Sequence, residues 1–84
     1  PGGFKGYPGK LIDSISTILA DQSSSKRRLA ALEFLSILIK NIPREEVGFE
    51  RLGRLLMVTT ELLKTELVRP VRNEAMRLLG VIGA

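Results

Sequence analysis

Glu45-Glu46 is the only adjacent acidic pair in the chain, and paired carboxylates are a usual vehicle of general acid/base chemistry. Neighbouring residues on a helix or turn point in different directions, so these two are poorly placed to act on one substrate atom. A solvated first turn, where the helix dipole favours negative charge, suits them better. Gly9-Lys10 has the ending of a phosphate-binding loop. That pattern needs glycine where Phe4 stands and Ser or Thr where Leu11 stands, and fails at both. Serines and threonines are plentiful, yet a hydroxyl nucleophile needs a base beside it, and the chain has no histidine. Nothing singles out a lysine for that role. The absence of cysteine as well removes further metal ligands and every disulfide. The expectation is a segment with no catalytic, cofactor-binding or metal-ligating residues, and so not itself an enzyme.

Lys26-Arg27-Arg28 is the one basic run. Lys26 and Arg27 are the candidates for a basic surface that grips phosphate or an acidic partner, or for a short localisation signal. Three cations at a helix N-terminus oppose the dipole, so Asp21 nearby or an acid on an adjoining repeat is expected to offset them. Ser23-Ser24-Ser25 before the run could accept phosphate, but serines are commonplace in a turn. Overall, 13 Lys+Arg against 9 Asp+Glu leave a net charge of +4. These cations recur among acids along the whole chain, whereas a nucleic-acid face needs them on one surface. Solvated helix faces are therefore preferred, and nucleic acid is not the favoured partner.

The elements that would carry these residues read as helices. Leu11, Ile12, Ile15, Ile18 and Leu19 recur at helical spacing, with Asp13, Ser14, Ser16 and Thr17 on the other side. The turn Asp21–Ser25 follows, any of whose serines can cap the next helix. From Lys26 to about Asn41, Ala31, Leu32, Leu35, Leu38, Ile39 and Ile42 form an apolar stripe. Ala30, Phe34 and Ile37 widen it, leaving only Lys26, Glu33, Ser36 and Lys40 clearly wet. Pro43 stops that helix and disfavours the α conformation at Ile42. A connector through Gly48 leads to a third helix with Leu52, Leu55, Leu56, Leu62 and Leu63 inward. Thr59 interrupts that stripe, and its hydroxyl is expected to bond back to the preceding turn. A second turn, Leu67 to Pro70, precedes the last helix. The predicted helices are 8–20, 26–41, 47–65 and 70–83, in two antiparallel pairs without a strand. Residues 1–9, with four glycines and two prolines, are expected to be a linker whose Phe4 and Tyr7 tuck against the first pair.

The two pairs repeat each other. A shift of 44 residues superimposes Leu11-Ile12 on Leu55-Leu56, Ile18-Leu19 on Leu62-Leu63, and Phe34-Leu35 on Leu78-Leu79. It also places Arg28 on Arg72, Ala31 on Ala75 and Ile37-Leu38 on Val81-Ile82. The period falls within the roughly 40–47 residues of HEAT and armadillo units. The fold expected is all-α, two stacked HEAT-like antiparallel helix pairs of an α-solenoid, with units at 10–45 and 46–84. Asp21, Arg28 and Arg72 are the candidate inter-repeat polar contacts. Arg72 is expected to pair with Asp21, whose own counterpart, Thr65, carries no charge. Pro1 in place of an initiator Met, and an end at Gly83-Ala84 inside an apolar stretch, suggest an excerpt from a longer chain. Such a piece is expected to be marginal or self-associating, with apolar surface around Leu79 and Ile82 uncovered.

Lys64-Thr65-Glu66, Arg72, Glu74-Ala75, Arg77, Leu79-Gly80 and Gly83-Ala84 carry a more specific likeness. This stretch resembles a segment in the N-terminal HEAT region of the target of rapamycin kinases, whose pattern has a second arginine where Asn73 stands here. The specific similarity covers about a quarter of the chain; residues Leu11 to Leu38 match only in general pattern. The resemblance implies a very large Ser/Thr kinase as parent, with its kinase domain far C-terminal and no catalytic or nucleotide-binding residue in this segment. It implies a scaffold that supports assembly, with flanking repeats and accessory subunits as protein partners. Location would be cytoplasmic, or also nuclear. Two alternatives stay open: a HEAT or armadillo adaptor unrelated to kinases, and a basic helical repeat that binds nucleic acid. No apolar run approaches the roughly 18 residues of a membrane span.

Overall fold

A computed structural model describes residues 7–83 of the chain, with side chains from Pro8 onward. Helix α1 spans Tyr7–Ser16 and tightens into a 3₁₀ turn over Thr17–Ala20; α2 is Ser25–Asn41. A four-residue helix α3, Arg44–Val47, precedes α4, Phe49–Thr65, and α5, Arg69–Gly83. Among the described residues there is no strand, in agreement with the all-α expectation. With the 3₁₀ turn counted into the first, the four long helices fall within two residues of their predicted bounds, although α1 itself ends four residues early at Ser16. Tyr7–Gly9, expected in the linker, belong to α1 instead, where Pro8 sits in a first turn that has no need of its N–H. The contacts expected of Phe4 and of the Tyr7 ring lie outside the described residues.

Each boundary has a local cause. The Ser24 hydroxyl accepts from the Arg27 N–H at 3.2 Å and caps α2. At the other end Ile42 is extended (φ −109°, ψ 131°) ahead of Pro43, as the ring of a following proline requires. Gly48 adopts φ +90°, ψ 140° between α3 and α4. That conformation is open to glycine and strained for any L side chain, so the connector turns there.

Helix α2 packs chiefly against α5, α5 also against α4, and α1 against α2, α3 and α4. The core lies between these four long helices. Ile12, Leu19, Leu32, Leu35, Val71 and Leu78 are its best-shielded large residues, joined by Val47 from α3. Thr59 is fully buried, and its hydroxyl donates to the Leu55 carbonyl at 2.7 Å, the back-bond its position called for.

Three burial expectations are corrected. Ser36, read as wet, is buried with its hydroxyl unpartnered, because α2 is covered by α5 on that side. Leu56, read as inward, is exposed, whereas Leu55 is buried. Ile82 is buried rather than uncovered, and Leu79 is half-buried.

Candidate functional site

The most shielded polar groups tie the earlier helices of the chain to the later ones. Arg28, in the first turns of α2, turns inward instead of into water. Its Nε donates to Glu66 Oε1 at 2.7 Å and its Nη2 to Glu66 Oε2 at 3.2 Å, a two-pronged pairing. Both side chains are shielded, at 7% and 2% exposure. The remaining prong, Nη1, donates to the Asp21 carbonyl at 2.8 Å. Glu66 also accepts from the Val68 N–H at 3.2 Å, just ahead of α5, where the helix dipole favours a carboxylate. The Arg28 guanidinium holds the Glu66 carboxyl below its ordinary range, against burial that pushes it up. The arginine is driven up in turn by its hydrogen bond to Glu66.

A second junction pair lies between α1 and α4. Arg51 donates from Nε to Asp13 Oδ1 at 2.9 Å and from Nη2 to Oδ2 at 3.0 Å, while its Nη1 reaches the Val47 carbonyl at 3.1 Å. Arg54 stands 3.8 Å from the same carboxylate. The hydrogen bond from Arg51 lowers the Asp13 pKa. Gly9 is buried beneath the Arg51 guanidinium, in space that any Cβ would occupy. The glycine of Gly9-Lys10 thus makes room for an arginine within a helix. At the far end Arg44 Nη1 donates to the Ile82 carbonyl at 2.7 Å. Asp13–Arg51, Arg28–Glu66 and Arg44–Ile82 are each separated by 38 residues in sequence.

Of the expected contact residues, Arg28 is at the junction, and Asp21 joins it through its carbonyl. Arg72 is not paired with Asp21. Its Nη1 donates to the Leu63 and Glu66 carbonyls, both at 2.8 Å, and among the described residues no carboxylate lies within ion-pair reach of it. Asp21 instead accepts from the Ser23 N–H and hydroxyl, which lower its pKa, and stands 3.5 Å from Arg27. The two repeated arginines nevertheless do the same local job. Asp21 closes the 3₁₀ turn and Glu66 closes α4 as C-terminal caps, and Arg28 and Arg72 bond to the carbonyls of these two residues.

Sequence reasoning missed Glu66 because the turns differ in length: residues 21–24 in the first, 66–68 in the second. An ungapped shift therefore set Asp21 against Thr65, one residue before the acid. The signal was Glu66 itself, an acid directly after the predicted third helix. Leu56 has a different cause, a one-residue offset of opposite sign between α1 and α4 themselves. Burial and hydrogen bonding equate Ile12 with Leu55 and Ser16 with Thr59, each hydroxyl bonding four residues back. That is a shift of 43, whereas α2 and α5 keep 44.

The basic run is dispersed by the fold: Arg28 goes inside, Arg27 faces Asp21, and Lys26 is exposed. Glu45 and Glu46 are exposed in the first turn of α3. Among the described residues no group of acidic side chains converges in a way that could hold a metal ion. No helix there is long and apolar enough to cross a membrane. Compared with known proteins, the chain matches no family and shows no detectable similarity to a curated protein or a solved structure.

Proposed function

We propose that this chain is a scaffold segment of a HEAT-type solenoid, of the kind found in target of rapamycin kinases, and that it supports assembly through protein contacts. The observation that carries the reading is the constant 38-residue separation of three contacts placed along the helix pairs. Two segments running antiparallel give contact separations that shrink along the path; two running parallel give a constant one. Parallel succession is how repeat units stack, each on its neighbour alone. The reuse of an arginine at positions 28 and 72 to bond the cap before it supports the same conclusion. The kinase-type parent rests on the Lys64–Ala84 resemblance. A nucleic-acid reading has less to work with, since Arg28 is spent internally and Arg27 faces an acid.

Two measurements test this. The complete reading frame should hold further units of about 40–47 residues and a kinase signature downstream; a frame without neighbouring helical repeats overturns the proposal. Binding of the chain to duplex or single-stranded nucleic acid should be negligible. Tight binding that collapses with added salt would favour the nucleic-acid alternative.

A further inference from the structure

The two helix pairs close on each other along α2 and α5 and stand apart along α1 and α4. Between α1, with its 3₁₀ turn, and α4 this leaves two cavities of ≈ 370 and ≈ 460 Å³. Ala20 and Val58 line both, so the two form one groove. Its floor is apolar, with Ile12 and Leu55 at one end and Leu19 and Leu62 at the other. Met57, 69% exposed, stands at the rim, where its flexible thioether can adapt to an apolar visitor. Along α4 the lining runs from Arg51 to Thr65, about 21 Å at the helical rise.

Flanking repeats of a longer chain would not fill this groove. At the shift of 43 that relates α1 to α4, the groove-lining Asp13, Thr17 and Ala20 correspond to Leu56, Thr60 and Leu63. Those three mark the side of α4 turned to a following unit. Arg54, Val58 and Glu61 correspond in the same way to Leu11, Ile15 and Ile18, on the side of α1 turned to a preceding one. Met57 corresponds to Ser14, and both are exposed on the outward surface that stacking leaves bare. The groove therefore lies between two units that already meet, and a neighbour on either side leaves it open.

The charged residues of the lining are sorted by end: Asp13, Arg51 and Arg54 at one, Glu61 at the other. Both Asp13 oxygens are taken by Arg51, at 2.9 and 3.0 Å. Arg54 Nη2 stands 3.8 Å from that carboxylate, too far for a hydrogen bond, and its side chain is 60% exposed. One end thus has a cation to spare. At the other, exposed Glu61 meets Lys64 at 3.0 Å. An α-helix has the complementary polarity, negative at its C-terminus and positive at its N-terminus. We propose that this groove takes an amphipathic helix of a partner protein, running antiparallel to α1 and α4. Its apolar side chains fill the two cavities and an acidic last turn lies over Arg54, a helix-in-groove contact. The inference deepens the scaffold reading, on which the exclusion of flanking units rests.

Titration of the intact, isotopically labelled chain with a synthetic peptide, followed by NMR, tests it. The peptide has about 15 residues to match the groove, leucines at i, i+4, i+7 and i+11, and two glutamates in its last turn. It should bind with a Kd below about 1 mM and shift the amides of Ala20, Met57 and Val58. A version with lysines in the last turn should bind about fivefold more weakly, and Arg54→Glu should reverse that order. Ala20→Arg, a change at an exposed position where the cavities meet, should weaken both peptides about tenfold. Each variant should melt as the parent does, which separates lost binding from lost fold. Failure of both peptides to bind up to about 1 mM overturns the proposal. So does equal affinity for the two, or binding unmoved by Ala20→Arg. Shifts confined to Met76 and Leu79 would put the peptide on the side of α5 away from the groove and overturn it as well. The scaffold reading is judged apart. A chain whose Arg28→Ala and Glu66→Ala substitutions are coupled in unfolding, but which binds neither peptide, refutes the groove alone. Binding in the groove by a chain whose reading frame holds no neighbouring repeat refutes the solenoid alone.

Discussion

Replacing Glu66 with Gln tests the junction most directly. The substitution keeps the shape of the side chain and removes the charge, leaving Arg28 shielded with only a neutral amide and the Asp21 carbonyl as partners. Breaking a buried ion pair from one side costs about 3–5 kcal/mol. The molecule's narrowest extent is 18 Å, so neither charge lies far from water, and the lower end, about 3 kcal/mol, applies. A domain of this length has roughly 4–12 kcal/mol of stability in all, so the loss should be plain in a urea melt as a lower midpoint with an unchanged slope. In a thermal melt it corresponds to about 12–24 °C. Replacing both partners together, as Arg28→Met with Glu66→Leu, should restore most of the stability, because no unpaired charge is left behind. The pH dependence has a definite sign. Glu66 titrates lower in the folded chain than in the unfolded one, whose ordinary value is 4.5. As pH falls through this window, the unfolded chain takes up the proton first. The pair's contribution is therefore complete above about pH 4.5 and is lost as pH drops through the folded value. Glu66→Gln should flatten that acid limb. A variant within about 0.5 kcal/mol of the parent, or with the same acid limb, would refute the reasoning.

Three further outcomes follow from single residues. Ser36→Ala should stabilise the chain by about 1 kcal/mol, since it deletes a buried hydroxyl without a partner; a lower urea midpoint would contradict this. Gly48→Ala should cost about 1–3 kcal/mol through backbone strain alone, because nothing lies within 4 Å of an added Cβ. An unchanged melting temperature would show that the turn relaxes without cost. Thr59→Val should stay within about 1 kcal/mol of the parent, because the Leu55 carbonyl keeps its helical partner when the hydroxyl goes. A loss of several kcal/mol would mean that the hydroxyl does more than bond back.

The helices were legible because their signals are local. Pro43 ends α2, Ser24 begins it, and the spacing of Ile12, Ile15 and Leu19 announces α1 without reference to any neighbour. The role of Arg28 was half legible, since recurrence at Arg72 marked both as structural. Its partner was not, because a one-residue difference between two turns decides whether Thr65 or Glu66 stands at the cap. Burial of Ser36 and exposure of Phe34 were equally out of reach. Both depend on which side of α2 receives α5, a tertiary choice that helical periodicity leaves open for a helix apolar on most sides.

The 38-residue spacing of the junction contacts also sets a clock. Chains are synthesised at about 5–20 residues per second, so Glu66 follows Arg28 into solution by roughly 2–8 s, an interval far longer than the microsecond or less that helix formation takes. Throughout that delay α2 can exist as a helix with Arg28 unpaired and Leu32 and Leu35 bare, while the residues that will cover them are still being made. The nascent α1–α2 segment therefore exposes an apolar stripe that α5 covers only later.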